Sequence, residues 1–215
     1  MKNIVFTGLF LLLLVSCKEN QKGQKPENST STSGKDTTAA NGQKPEQNKE
    51  LLIVPGKRLG DLYLGKEATV TLKDSLGEPL HQDSAMGKSS QTFRLKNKDL
   101  NGNDAILSIF TAIRMDGGNT DGKHRLQAVR TNSTTFATEQ GLKVGSTFKE
   151  IQHSFKLQKL GEFTKNGNTY SLYDTEDGIA FEVNKDKICS GIEIHKADTK
   201  ATDSYLPVYE HFKGS

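Results

Sequence analysis

The chain has 215 residues, and 29 Lys and Arg against 26 Asp and Glu leave a formal net charge of +3. No basic run and no basic stripe with interleaved aromatics occurs, which excludes nucleic acid as a partner. Two cysteines, Cys17 and Cys189, are too few for a disulfide framework, so a folded domain must hold itself by packing.

The chain opens with one positive residue, Lys2, followed by an apolar run over residues 4–15 and then Ser16-Cys17. A bilayer crossing takes about 20 apolar residues, so this run is too short to span and reads as a cleaved secretory signal. Leu14-Val15-Ser16-Cys17 resembles the lipobox of bacterial lipoproteins. The resemblance implies removal of residues 1–16, a diacylglycerol on the Cys17 thiol and an acyl (palmitate-type) chain on its new amino group. Cys17 is therefore the expected lipidation site and membrane anchor. The expected location is the bacterial outer membrane, facing the periplasm or the cell surface.

Residues 17–50 combine the anchor with a stretch rich in Asn, Gln, Lys, Ser, Thr, Gly and Glu. So few large apolar residues cannot offset chain entropy, and the stretch is expected to be a disordered tether. As a flexible coil its ends would lie roughly 30–35 Å apart.

Apolar residues resume at Leu51, and 51–215 is the length of one domain. Within it, Leu62-Tyr63-Leu64-Gly65 is echoed by Leu142-Lys143-Val144-Gly145. Each copy is followed by a helix-like segment: Leu72 and Leu76 in the first, Phe148, Ile151 and Phe155 in the second. Gly77 and Pro79 stop the first helix. Three strand candidates then follow in each copy: 91–95, 105–115 and 125–131, then 170–173, 179–183 and 188–195. Asn, Asp and Gly clusters link them, as tight turns require. The expected fold class is α+β. Two tandem helix-plus-three-strand repeats, about 51–136 and 137–196, form an antiparallel sheet with helices on one face, and a C-terminal tail follows.

Residues 62–65, 72–79 and 142–155 resemble the β-lactamase-inhibitor-protein-like tandem repeat, related to small outer-membrane lipoproteins of the SmpA/OmlA type. Val54-Pro55-Gly56-Lys57 and Ala85-Met86-Gly87-Lys88 resemble stretches of uncharacterised Bacteroidetes lipoproteins. The resemblance implies a binding module, and it brings no catalytic residues.

Catalytic look-alikes have simpler readings. Gly87-Lys88-Ser89 lacks the upstream glycine of a phosphate-binding loop, where Gln82 stands instead. Ser146-Thr147-Phe148-Lys149 has no companion motifs, while Thr147 with Glu150 makes a capping box at a helix start. Histidines 81, 124, 153, 195 and 211 are isolated, so no metal site and no cofactor are expected. The oxygen-rich bunches at 99–104 and 116–121 read as hairpin turns. Cys189 reads as a small buried hydrophobe.

Strand alternation offers a candidate binding face. If Phe93, Leu95, Leu172, Phe181, Ile192 and Ile194 face the helices, then Arg94, Tyr173, Glu182, Glu193 and His195 share the opposite, solvated face. The leading expectation is a non-enzymatic envelope lipoprotein that binds a protein or glycan partner there. An inhibitor of a secreted hydrolase, acting through a hairpin at 101–104 or 116–121, is an alternative. A hydrolase with an unrecognised site, joining Cys189, Glu193 and His195, is another.

Overall fold

The computed structural model describes residues 48–67, 75–116, 119–206 and 212–214. The expected signal, Cys17 and nearly all of the tether lie outside the described residues, as does most of the first expected helix.

The protein is mostly β. A small sheet is built from β1 (Leu52–Val54), β2 (Arg58–Leu59), β3 (Leu62–Tyr63) and β8 (Ala137–Thr138), in the order β3-β2-β1-β8. The large sheet comprises β4 (His81–Ala85), β5 (Lys88–Lys98), β6 (Asp104–Asp116), β7 (Asn119–Thr131), β9 (Gln158–Lys165), β10 (Asn168–Asp174), β11 (Ile179–Val183), β12 (Cys189–His195) and β13 (Lys213–Gly214). Its nine strands run β13-β9-β10-β11-β12-β7-β6-β5-β4, and every pairing is antiparallel. The α-helix α1 (Phe148–Ser154) spans seven residues.

This overturns the α+β reading of helix-plus-three-strand repeats. The halves of the large sheet are four-stranded meanders, β4–β7 and β9–β12, whose last strands pair through Ile192↔Thr131 to His195↔Ala128. The two unexpected strands, β4 and β9, lie on the flanks of the meanders. Their residues are largely polar and exposed, so they carry little apolar alternation. Backbone pairing with β5 and β10 makes them strands regardless of side-chain pattern.

Both sheet faces are covered. On the first face, Phe93, Ile109, Leu126, Phe181, Ile192 and Ile194 pack with Ile53 and Leu59 of the small sheet and Ile151 of α1. The alternation predicted for Phe93, Leu95, Phe181, Ile192 and Ile194 is the alternation observed. On the second face, Phe163, Leu172 and Ala180 pack with Ala201, and Phe110 and Ala128 pack with Leu206. The segment expected to be a tail is thus a cover. It ends in β13, which pairs with β9 across Gly161, where a Cβ would stand 2.1 Å from the Lys213 carbonyl oxygen.

Candidate binding cleft

The second face carries a polar row across its centre. Thr92, Ser108, Arg130 and Glu193 are successive cross-strand partners on β5, β6, β7 and β12. The Thr92 and Ser108 hydroxyls lie 3.0 Å apart. Arg130 reaches over β12 to Glu182 on β11, donating from Nε to Oε1 at 2.5 Å and from Nη2 to Oε2 at 2.6 Å. Both side chains are almost fully buried, at 2% and 3% exposed, which makes this a two-pronged, desolvated ion pair. Gly191 makes the crossing possible. A Cβ there would lie 2.4 Å from Glu182 Oε2 and 2.9 Å from Arg130 Nη2.

Beside this pair opens a polar cleft of about 370 Å³. Arg130, Glu182 and Ser190 form part of its lining, with Tyr170 to one side. Three turns wall it: 99–103 between β5 and β6, 166–167 between β9 and β10, and 184–187 between β11 and β12. Each turn is held by its own polar side chain or backbone. Asp99 Oδ1 accepts from the Asn101 and Asn103 amides at 2.8 and 3.0 Å. Asn166 and Gly167 both take positive φ, 51° and 76°, as a tight two-residue hairpin turn demands. Asn184 Oδ1 accepts from the Asp186 and Ile188 amides at 3.0 and 2.9 Å.

These bonds set the chemistry of the lining. The carbonyl oxygens of Asn184 and Asn132 are both taken by backbone N–H groups, the latter by Ile106 at 2.7 Å. What each amide retains is its NH2, a donor. Lys165, at the end of β9, is half-buried at the rim. Burial pushes its ammonium pKa down, with the neighbouring Arg130 charge adding to the effect and Glu182 and Asp99 opposing it.

The sequence-predicted residues divide. Glu182, Glu193 and His195 do share the second face, but they are buried at 2%, 0% and 1% exposed, so this stretch of the face is not solvated. Arg94 is exposed and pairs with Asp104 at 3.1 Å, away from the cleft. Tyr173 is on the opposite face: its ring lies 4.5 Å from that of Phe148, and Leu172 points to the second-face cluster instead. The apolar cover supplied by the C-terminal segment gives Leu172 a buried home that strand alternation alone did not anticipate.

His195 Nε2 lies 2.8 Å from Asp174 Oδ1, its Nδ1 lies 2.9 Å from the Lys196 carbonyl, and Asp174 Oδ2 accepts from the Ala201 amide at 3.1 Å. Burial works against the imidazolium. The hydrogen bond and charge of Asp174, the charge of Glu193 and the Lys196 carbonyl outweigh it, and the pKa is raised. Cys189 does not join this group. A bulge between Glu182 and Val183 shifts the register, so that Cys189 sits in the first-face core while His195 faces the other way. Burial and the nearby Glu182 charge drive the Cys189 thiol far up from its ordinary pKa. The turn at 99–103 is a hairpin turn closed by Asp99, while 116–121 lies partly outside the described residues.

Sequence reasoning missed Arg130, Asn132, Lys165 and Asn184. A usable signal existed for Arg130, a charge that directly follows the apolar pair Ala128-Val129 within a strand candidate. The others sit at strand ends or in turns, where composition shows only ordinary turn chemistry.

No family model and no curated protein matches the sequence. Among solved structures, the chain is similar to an extracellular protein containing an SCP domain from Bacillus anthracis str. Ames, at 13% identity and a TM-score of 0.37. The match covers 62% of this chain and 44% of that one, so the chain spans less than half the length of the protein it matches. A likeness that slight carries no argument about fold or activity.

Proposed function

We propose that this protein is a non-enzymatic binding module of the bacterial cell envelope, lipid-anchored at Cys17 and taking a polar ligand in the cleft beside Arg130 and Glu182. The observation that carries the reading is the polar cleft itself. Its lining is fixed by a buried ion pair and its walls by self-bonded turns. A volume of about 370 Å³ falls in the range of small-molecule sites, roughly 300–1,000 Å³. The two groups nearest to acid–base chemistry, His195 and Asp174, are buried and bonded to each other and to backbone. That arrangement suits a structural role better than proton transfer to a substrate.

The anchor rests on the lipobox resemblance at residues 14–17. Several acyl chains, each contributing about 0.8 kcal/mol per buried methylene, would hold the protein on the membrane. Fractionation of cells expressing Cys17→Ala tests it: the variant is expected in the soluble fraction, and full retention on the membrane would refute the anchor. Photo-crosslinking from cleft positions such as Asn168 in living cells tests the binding role. Crosslinks to an envelope component are expected, and their absence, with crosslinks only from other surfaces, would refute it.

A further inference from the structure

Resting on the binding reading above, we infer that the cleft recognises a carboxylated sugar, a uronic acid or similar sugar acid, seating its carboxylate against Lys165 and its hydroxyls against the surrounding amides. The argument starts from Lys165. Its ammonium makes no hydrogen bond or ion pair among the described residues, although it is half-buried in a cavity that also holds Asp99 and Glu182. Glu182 is committed to Arg130 by two short bonds, and Asp99 to two turn amides. Both acids act on Lys165 through their charge, and neither makes an ion pair with it. A half-buried ammonium that makes no ion pair can take an incoming anion as its hydrogen-bonded partner.

The neighbouring groups narrow the class. The Arg130 guanidinium lines the same cleft, with its charge met by Glu182. Asn132 and Asn184 present NH2 donors because backbone amides occupy their carbonyl oxygens. A bare inorganic anion would use the cation but leave these donors, the Asp99 and Asp186 acceptors and the Tyr170 ring without a role. Tyr170 is stacked on Phe163 at 5.4 Å between centroids and lines the cleft. A ring bearing several hydroxyls and one carboxylate meets all of them: donors, acceptors, an aromatic surface and the ammonium groups of Lys165 and Lys185.

The test is calorimetric titration of the full-length, detergent-solubilised protein with D-glucuronate and D-galacturonate, against D-glucose, D-galactose and acetate. The uronates are expected to bind at least about tenfold more tightly than either neutral sugar or acetate. Their affinity should fall with added salt. Lys165→Gln should weaken uronate binding about tenfold or more and leave the melting temperature unchanged, while Lys165→Arg should retain binding. Equal affinity for uronates and neutral sugars would overturn the carboxylate inference while leaving the binding role standing. So would uronate binding that is indifferent to Lys165→Gln, or acetate binding as tight as uronate binding. Failure of every sugar together with living-cell crosslinks from the cleft to an envelope protein would overturn the sugar inference alone. Failure of every sugar with no such crosslinks would overturn the binding role as well.

Discussion

Gly191 owes its place to the ion pair that crosses it. With a Cβ 2.4 Å from Glu182 Oε2, Gly191→Ala must displace a buried carboxylate from its arginine. Breaking a buried pair costs about 3–5 kcal/mol, because a desolvated charge is left behind. Glu182→Gln should lower the urea midpoint by a comparable free energy, while the paired replacement Arg130→Met with Glu182→Leu should cost far less and abolish cleft binding. If the double variant proved as unstable as the single one, the pair would have to be a net stabiliser rather than a geometric device. His195 supplies the pH dependence. Its folded pKa is raised, so the folded state holds the proton more tightly than the unfolded chain, whose value is about 6.5. The resulting stability is complete below that unfolded value and is lost as pH rises through the raised folded one. The stability gap between the wild type and His195→Asn should accordingly narrow as pH increases, and a gap constant between pH 5 and 9 would count against the assignment.

At the level of elements, α1 shows how local signals succeed. Thr147 accepts from the Glu150 amide at 3.3 Å and Glu150 accepts from the Thr147 amide at 2.7 Å, the capping box read from the sequence. A seven-residue helix is too short to persist alone, so this cap and the burial of Ile151 must hold it. Thr147→Ala should cost about 0.5–2 kcal/mol in chemical denaturation. Ile151→Ala should cost about 2–5 kcal/mol. Phe155, only half-buried, should cost less than the ~3–5 kcal/mol of a fully enclosed phenylalanine. Strands β5, β6, β7, β11 and β12 were legible because apolar side chains alternate along them. Strands β4 and β9 were not, since their membership depends on backbone pairing with neighbours.

Across the whole molecule, the second face is closed by residues far along the chain. Ending the protein at Lys196 removes Ala201, Leu206 and Phe212 and exposes Phe163, Leu172, Ala180 and Phe110. Each large apolar side chain returned to water forfeits roughly 1.5–3 kcal/mol. Three such losses approach the 5–15 kcal/mol total of an ordinary domain. The truncated chain is expected to lose its cooperative near-ultraviolet melting transition, and a sharp transition at the full-length temperature would show that the cover is dispensable. A fragment ending near Phe136 should also fail to unfold cooperatively, because β7 would lose its pairing with β12 and the shared first-face core.

Features that depend on neighbours a few residues away are legible in the chain. The capping box, the Asn-Gly and Asp-Gly turns, and the alternation that sends Phe181, Ile192 and Ile194 inward and Glu182, Glu193 and His195 outward were all readable in this way. Local periodicity records which side of a strand is apolar, but not what lies over the other side. That Glu182 and Glu193 would be buried rather than solvated, that Leu172 and Tyr173 would exchange faces, and that Arg130 would reach across Gly191 to Glu182 were decided only by the tertiary structure. The C-terminal cover and the register of four neighbouring strands bring together side chains more than 50 positions apart, and no short-range pattern encodes such a meeting.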